Sequence, residues 1–201
     1  MKQLLTLLIL IAPLIISAQK TQEIEIMDDT QNEQHFDQHT GTTVFSIAHV
    51  PNGEIAYEGN LNEGIFLDDL SWAWNSSVAC FPATQKNKFT GKHVFFSGII
   101  PKYSEMEVTV IPTDPSLNLS IYAYEVGVNN DAMVPNLSSC IRCEADHKQE
   151  RNFVGKEPQD HTRKVTNLVT INRPYKVVIG VTGADGLEEA DFTLVVKMKT
   201  R

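Results

Sequence analysis

The sequence predicts an all-β fold, an antiparallel β-sandwich or jelly roll with one long loop stapled by a disulfide or a metal. Three observations predict it. Short stretches alternate apolar and polar residues with period two, the pattern of half-buried strands. Pro, Gly and Asn residues punctuate them at turn spacing. No stretch sustains the 3.6-residue period of an amphipathic helix. The clearest alternation is Glu105–Ile111, where Met106, Val108 and Val110 interleave with Glu105, Glu107 and Thr109. Pro112-Thr113-Asp114-Pro115 then turns the chain, and Leu117, Leu119, Ile121 and Ala123 resume the alternation. Two consecutive strands joined by a proline turn read as the middle of an antiparallel sheet.

Taken in order, residues 1–18 have the form of a bacterial signal peptide: Lys2, an apolar run over Leu4–Ile16, then Ser17-Ala18. The run is shorter than the roughly 20 residues that a membrane-spanning helix needs. No later stretch approaches that length, so the expectation is a secreted, periplasmic or cell-surface protein with no membrane span. Residues 19–40 are a polar lead-in with one strand candidate, Glu23–Met27. His35 and His39 would pair only on a helix, and with no apolar face nearby they read as solvated.

Thr43–Val50 and Glu54–Gly59 flank Pro51-Asn52-Gly53, whose Asn-Gly suits the positive φ angles of a tight turn, so a β-hairpin is expected. Glu63–Phe81 follows, with Trp72 and Trp74 two apart and therefore on one face of a strand. They either close an edge of the core or present an aromatic platform to a sugar or peptide. Further strands are expected at Lys88–Ile100, Val165–Ile171, Tyr175–Val181 and Phe192–Met198. Residues 41–87 would form one compact unit with a sandwich over 88–201.

Composition narrows the function classes. Lys and Arg number 17 against 25 Asp and Glu, a net charge of −8. An acidic chain without a basic cluster lacks the footprint of a nucleic-acid binder.

The strand order of KFTGKHVFFSGIIPKYSEMEVTVIPTDPSLNLSIYAYEVG, then PYKVVIGVTG and a closing GLEEADFTLVVKM, resembles the bacterial pre-peptidase C-terminal domain over roughly Phe89–Lys199. That resemblance implies a small jelly roll in an accessory role, binding a substrate, a surface or a partner of a secreted enzyme.

Candidate chemistry concentrates in the long connection Val128–Lys164, since loops beyond about 12–15 residues are uncommon unless functional, stapled or disordered. It carries Cys140-Ile141-Arg142-Cys143, Asp146-His147 and Asp160-His161. Cys80 is the remaining cysteine, and in an oxidising compartment it can pair with Cys140 or Cys143. Alternatively Cys80, Cys140, Cys143 and His147 make a tetrahedral zinc set. Thiol redox chemistry would need the CxxC at the start of a helix, and no helix is predicted there. The two Asp-His pairs suggest a general base, but sequence neighbours in extended chain point apart, which favours a structural role. Asp185, Glu188, Glu189 and Asp191 could hold calcium, or simply form a solvated turn. Tyr122 and Tyr124 could form a ligand-binding face with Asn118 and Ser120, or be core if the sheet is covered on both sides.

The function these residues favour is a secreted, non-catalytic binding or accessory module for an extracellular carbohydrate, peptide or surface ligand, with no cofactor beyond a possible zinc or calcium ion. The alternatives are a small hydrolase with a metal- or His-based site in residues 128–164, and a structural surface or matrix component.

Overall fold

Period-two alternation can bury one face of each strand only if a second layer covers it. The computed structural model, which describes residues 34–37, 42–71, 83–137, 142–146 and 160–201, supplies that layer as a second sheet. The strands in chain order are β1 (Gln34–Asp37), β2 (Thr42–Ser46), β3 (Glu54–Asn60), β4 (His93–Ile100), β5 (Ser104–Pro112), β6 (Leu119–Val126), β7 (Arg142–Glu144), β8 (Arg163–Thr170), β9 (Tyr175–Gly183) and β10 (Asp191–Thr200). Sheet A has the order β1-β2-β4-β9-β6-β7, and sheet B the order β3-β10-β5-β8. Short 3-10 turns lie at Leu61–Glu63 and Ala83–Phe89. The expected all-β sandwich is thus what the chain forms, and among the described strands β2 departs from antiparallel pairing by running parallel to β4.

The core between the sheets follows the alternation directly. Met106, Val108 and Val110 of β5 meet Leu194, Val196 and Met198 of β10 in register, and Val94 and Phe96 of β4, Ile121 and Ala123 of β6 and Ile179 of β9 close over them. All are buried.

Sheet A has a second core on its outer face. Val44, Phe95, Tyr122, Tyr124 and Val178 project outward and are covered by Leu70, Phe89, Met133, Val134, Leu137 and Ala145 from the connecting segments. Strands buried on both faces lose the polar half of the alternation. Accordingly Leu119–Tyr124 is buried at every position, Ser120 included.

Two expected hairpins do not form. β2 belongs to sheet A and β3 to sheet B, where β3 pairs with β10 instead. The Pro-Asn-Gly turn does reverse the chain, with Asn52 at φ 52°, but seven residues, 47–53, carry it across to the opposite sheet. Likewise β5 and β6 lie in different sheets, so the proline turn spans the sandwich edge rather than joining neighbours. The first five residues of the Lys88–Ile100 stretch precede β4, with Lys88 and Phe89 in the 3-10 turn. In the polar lead-in, Gln34–Asp37, which no strand was expected to include, forms β1 against β2. Glu23–Met27 and His39 lie outside the described residues. No helix among the described residues is long and apolar enough to cross a membrane.

Candidate functional site

The second core contains a hydrogen-bonded pair set by a glycine. Tyr122 and Gly180 are register partners on β6 and β9. A Cβ on Gly180 would overlap the Tyr122 ring, so only glycine lets the ring lie flat across β9. Its hydroxyl then reaches His93 Nδ1 at 2.8 Å, while His93 Nε2 meets the Phe89 carbonyl at 3.0 Å. A carbonyl only accepts, so the proton sits on Nε2 and Nδ1 accepts from the tyrosine. Burial lowers the His93 pKa to about 4, against the Phe89 hydrogen bond that raises it. This histidine is neutral and both its nitrogens are occupied. Tyr122 and Tyr124, candidates for an open ligand face, are buried in this layer, their rings 6.1 Å apart and edge to face. The covering segments close the face they would have offered.

The two Asp-His pairs each contribute one member to a buried polar cluster. Asp146 follows β7 and His161 precedes β8, and the fold brings Asp146 Oδ2 to 3.9 Å from His161 Nδ1. That is too long for a hydrogen bond. The imidazole nitrogen instead meets Arg163 Nη2 at 2.9 Å, and the same guanidinium reaches the Thr162 carbonyl at 3.1 Å and Asn118 Oδ1 at 3.4 Å. Guanidinium has donors only, so His161 Nδ1 accepts. Burial pushes the His161 pKa down and Arg163 pushes it further, outweighing Asp146 and Asp160. A general base of the triad type needs Nδ1–H held by a carboxylate so that Nε2 is left to accept. Here Nδ1 accepts from a cation, and the arrangement pins the loop to the start of β8. His161 holds φ at 55°, which its short ring tolerates better than a β-branched residue would.

Other sequence candidates fall as follows. Trp72, Trp74, Cys80, Cys140 and His147 lie outside the described residues, and His35 is described only as part of β1. Cys143 is opposite Tyr122 on β7, half-buried, its thiol pushed up to about 12 by burial and by Glu144. Asp185 Oδ1 accepts from Asn87 at 3.1 Å and Asp191 Oδ1 from Asn60 at 2.6 Å, while Glu188 and Glu189 are exposed. Among the described residues, no three His, Cys, Asp or Glu side chains are grouped to hold a metal.

Sequence reasoning missed one feature altogether. Large apolar side chains stand exposed at the end of the sandwich where β4 passes into β5 and β8 into β9: Ile99 at 41 %, Tyr103 at 50 % and Ile171 at 69 %. The Tyr103 N–H donates to the Ile171 carbonyl at 2.9 Å, which joins the two turns. Tyr103 has φ 57°. For an aromatic L-residue this left-handed conformation costs on the order of 1–2 kcal/mol, and Gly or Asn would escape most of it. Half-exposed, Tyr103 recovers little of that through burial. Beside it, Lys102 Nζ is 6.0 Å from the Tyr103 ring centroid, and Arg173 lies 5.0 Å over Tyr175 while donating to its hydroxyl at 2.6 and 2.8 Å. The signal that could have found this end is large apolar residues at loop tips, Tyr103 after Pro101-Lys102 and Ile171 before Asn172-Arg173-Pro174.

No protein-family model matches the chain, and no curated protein matches it in sequence. Among solved structures, the chain is similar to Aeromonas hydrophila PliG, a periplasmic inhibitor of g-type lysozyme. The identity is 10 % and the TM-score 0.40, covering 77 % of this chain and 95 % of that one. It is also similar to CorA, a surface-associated copper-binding protein of Methylomicrobium album BG8. There the identity is 10 % and the TM-score 0.37, covering 73 % of this chain and 93 % of that one.

Proposed function

We propose that this protein is a non-catalytic binding module that works outside the cytoplasm. The observation that carries the reading is the strained, half-exposed Tyr103 bonded to the exposed Ile171. Backbone strain held on the surface without a packing return is a mark of a functional position, and tyrosine is a residue of binding hot spots. Two histidines and a cysteine of the interior support the same reading. Both His93 nitrogens are hydrogen-bonded, His161 Nδ1 accepts from Arg163, and the Cys143 thiol is held far from its nucleophilic thiolate. The leader-like residues 1–18 support a site of action beyond the cytoplasm. The resemblance to pre-peptidase C-terminal modules would make the role an accessory one.

The test pairs binding with turnover. Purified chain is titrated against extracellular polysaccharides and proteins, and assayed on ester, peptide and glycoside substrates. Binding that Ile171→Ser weakens, with no turnover, is the expected result. Turnover abolished by His161→Ala would overturn the reading in favour of a hydrolase.

A further inference from the structure

We infer that the Ile99–Tyr103–Ile171 end of the sandwich docks an acidic polypeptide, one whose apolar contact side chains are flanked by carboxylates. This rests on the binding reading above and names the partner class.

Cations gather at this end of an acidic chain. The chain carries a net −8, yet the cations Lys102, Arg173, Lys176, Lys199 and Arg201 collect here. The local carboxylates are largely neutralised: Arg201 holds Glu105 at 2.6 Å and Lys176 holds Asp131 at 3.3 Å. Lys102 and Arg173 are exposed and form no ion pair among the described residues. Each is instead stationed over a tyrosine ring, which keeps the charge beside an apolar surface. An anionic partner would meet unneutralised cations here, on a chain that is acidic as a whole.

The apolar residues decide between anionic partners. A sugar acid uses a ring face and hydrogen-bonding amides or hydroxyls, and gains little from the aliphatic Ile99 and Ile171. A polypeptide gains from both, through its own apolar side chains, and Tyr with Arg is the pairing enriched where protein interfaces concentrate their energy. Ile99 is the register partner of Lys176 on sheet A, and Tyr103 with Ile171 stands where the chain crosses to sheet B. The surface therefore extends over the end of the sandwich and does not require a free strand edge.

The test uses the ¹⁵N-labelled chain and four polymers: a random glutamate–tyrosine copolymer, polyglutamate, polygalacturonate and dextran. The copolymer should shift the amides of Ile99, Lys102, Tyr103, Ile171 and Arg173. Its affinity should exceed that of polyglutamate, and should drop at least tenfold when salt rises from about 50 to 300 mM, as screening of exposed charges requires. Ile171→Ser and Lys102→Ser, both at exposed positions that leave folding intact, should each weaken it. Copolymer binding that maps elsewhere, or no copolymer binding at all, overturns the inference. Preference for polygalacturonate at these same residues also overturns it, and leaves the binding reading standing with a polysaccharide as the ligand. Dextran binding does the same with a neutral sugar.

Discussion

Tyr122 lies across Gly180, so that the absent side chain of one residue is the space occupied by the ring of the other. The arrangement places the Tyr122 hydroxyl on His93. Gly180→Ala should therefore act twice, by overpacking and by pulling the hydroxyl from His93. A loss of about 1–3 kcal/mol is expected, read as a lower urea midpoint at unchanged slope. Tyr122→Phe should cost about 1–3 kcal/mol by leaving His93 Nδ1 without its donor. The double variant should cost less than the sum, since both changes break one hydrogen bond. Strict additivity would mean the ring and the glycine are not coupled.

Acid should unfold the protein earlier than its carboxylates alone require. The folded-state pKa of His93 is about 4 against 6.5 unfolded, and that of His161 is also lowered. The unfolded chain thus binds more protons, so stability is complete above about pH 6.5 and falls as pH drops toward 4. For His93 alone the loss is about 3 kcal/mol. Denaturant midpoints measured from pH 7.5 to 4 should trace it, and a flat profile between 6.5 and 4.5 would show that His93 is not held neutral.

Tyr103→Gly should stabilise the fold, an unusual direction for removing an aromatic ring. Relief of the left-handed backbone is worth about 1 kcal/mol, or roughly 2–4 °C in Tm for a chain of this size. The same substitution should weaken partner binding. A variant that lost stability would show that the ring packs more than it strains.

Cys143 should resist alkylation. A thiol raised from 9 to about 12 has roughly a thousandfold less thiolate at pH 8. Iodoacetamide should modify it slowly in the folded protein and at an ordinary rate in denaturant. Equal rates would place the thiol in water.

The strands were legible in the sequence because burial of one face imposes period two, and Glu105–Ile111, Tyr175–Val181 and Phe192–Met198 all fall within observed strands. Their partners were not. Alternation states which side chains point inward, and inward is the same for both sheets, so the turns after Ser46 and Pro112 read as hairpins when they cross the sandwich. β1 was illegible for a different reason: QHFD has one apolar residue, and pairing with β2 supplies what its composition lacks. The buried cluster was half legible. Both Asp-His pairs stood out, but joining Asp146 to His161 depends on β7 and β8 lying close, which no local pattern encodes. The left-handed backbone of Tyr103 gave no local warning, since Pro-Lys-Tyr-Ser lacks the Gly or Asn that marks such a turn.

β10 occupies the interior of sheet B, between β3 and β5, and it follows every other strand of the described residues. Asp191 is the register partner of Asn60, more than a hundred residues earlier. Until β10 arrives, β3 has no neighbour in its sheet and the core residues of β5 lack one wall. The second layer cannot close before β10 has been made, and long-range pairing of this kind is slow even then. A chain lacking β10 would leave β3 unpaired and the inner face of β5 without its neighbour.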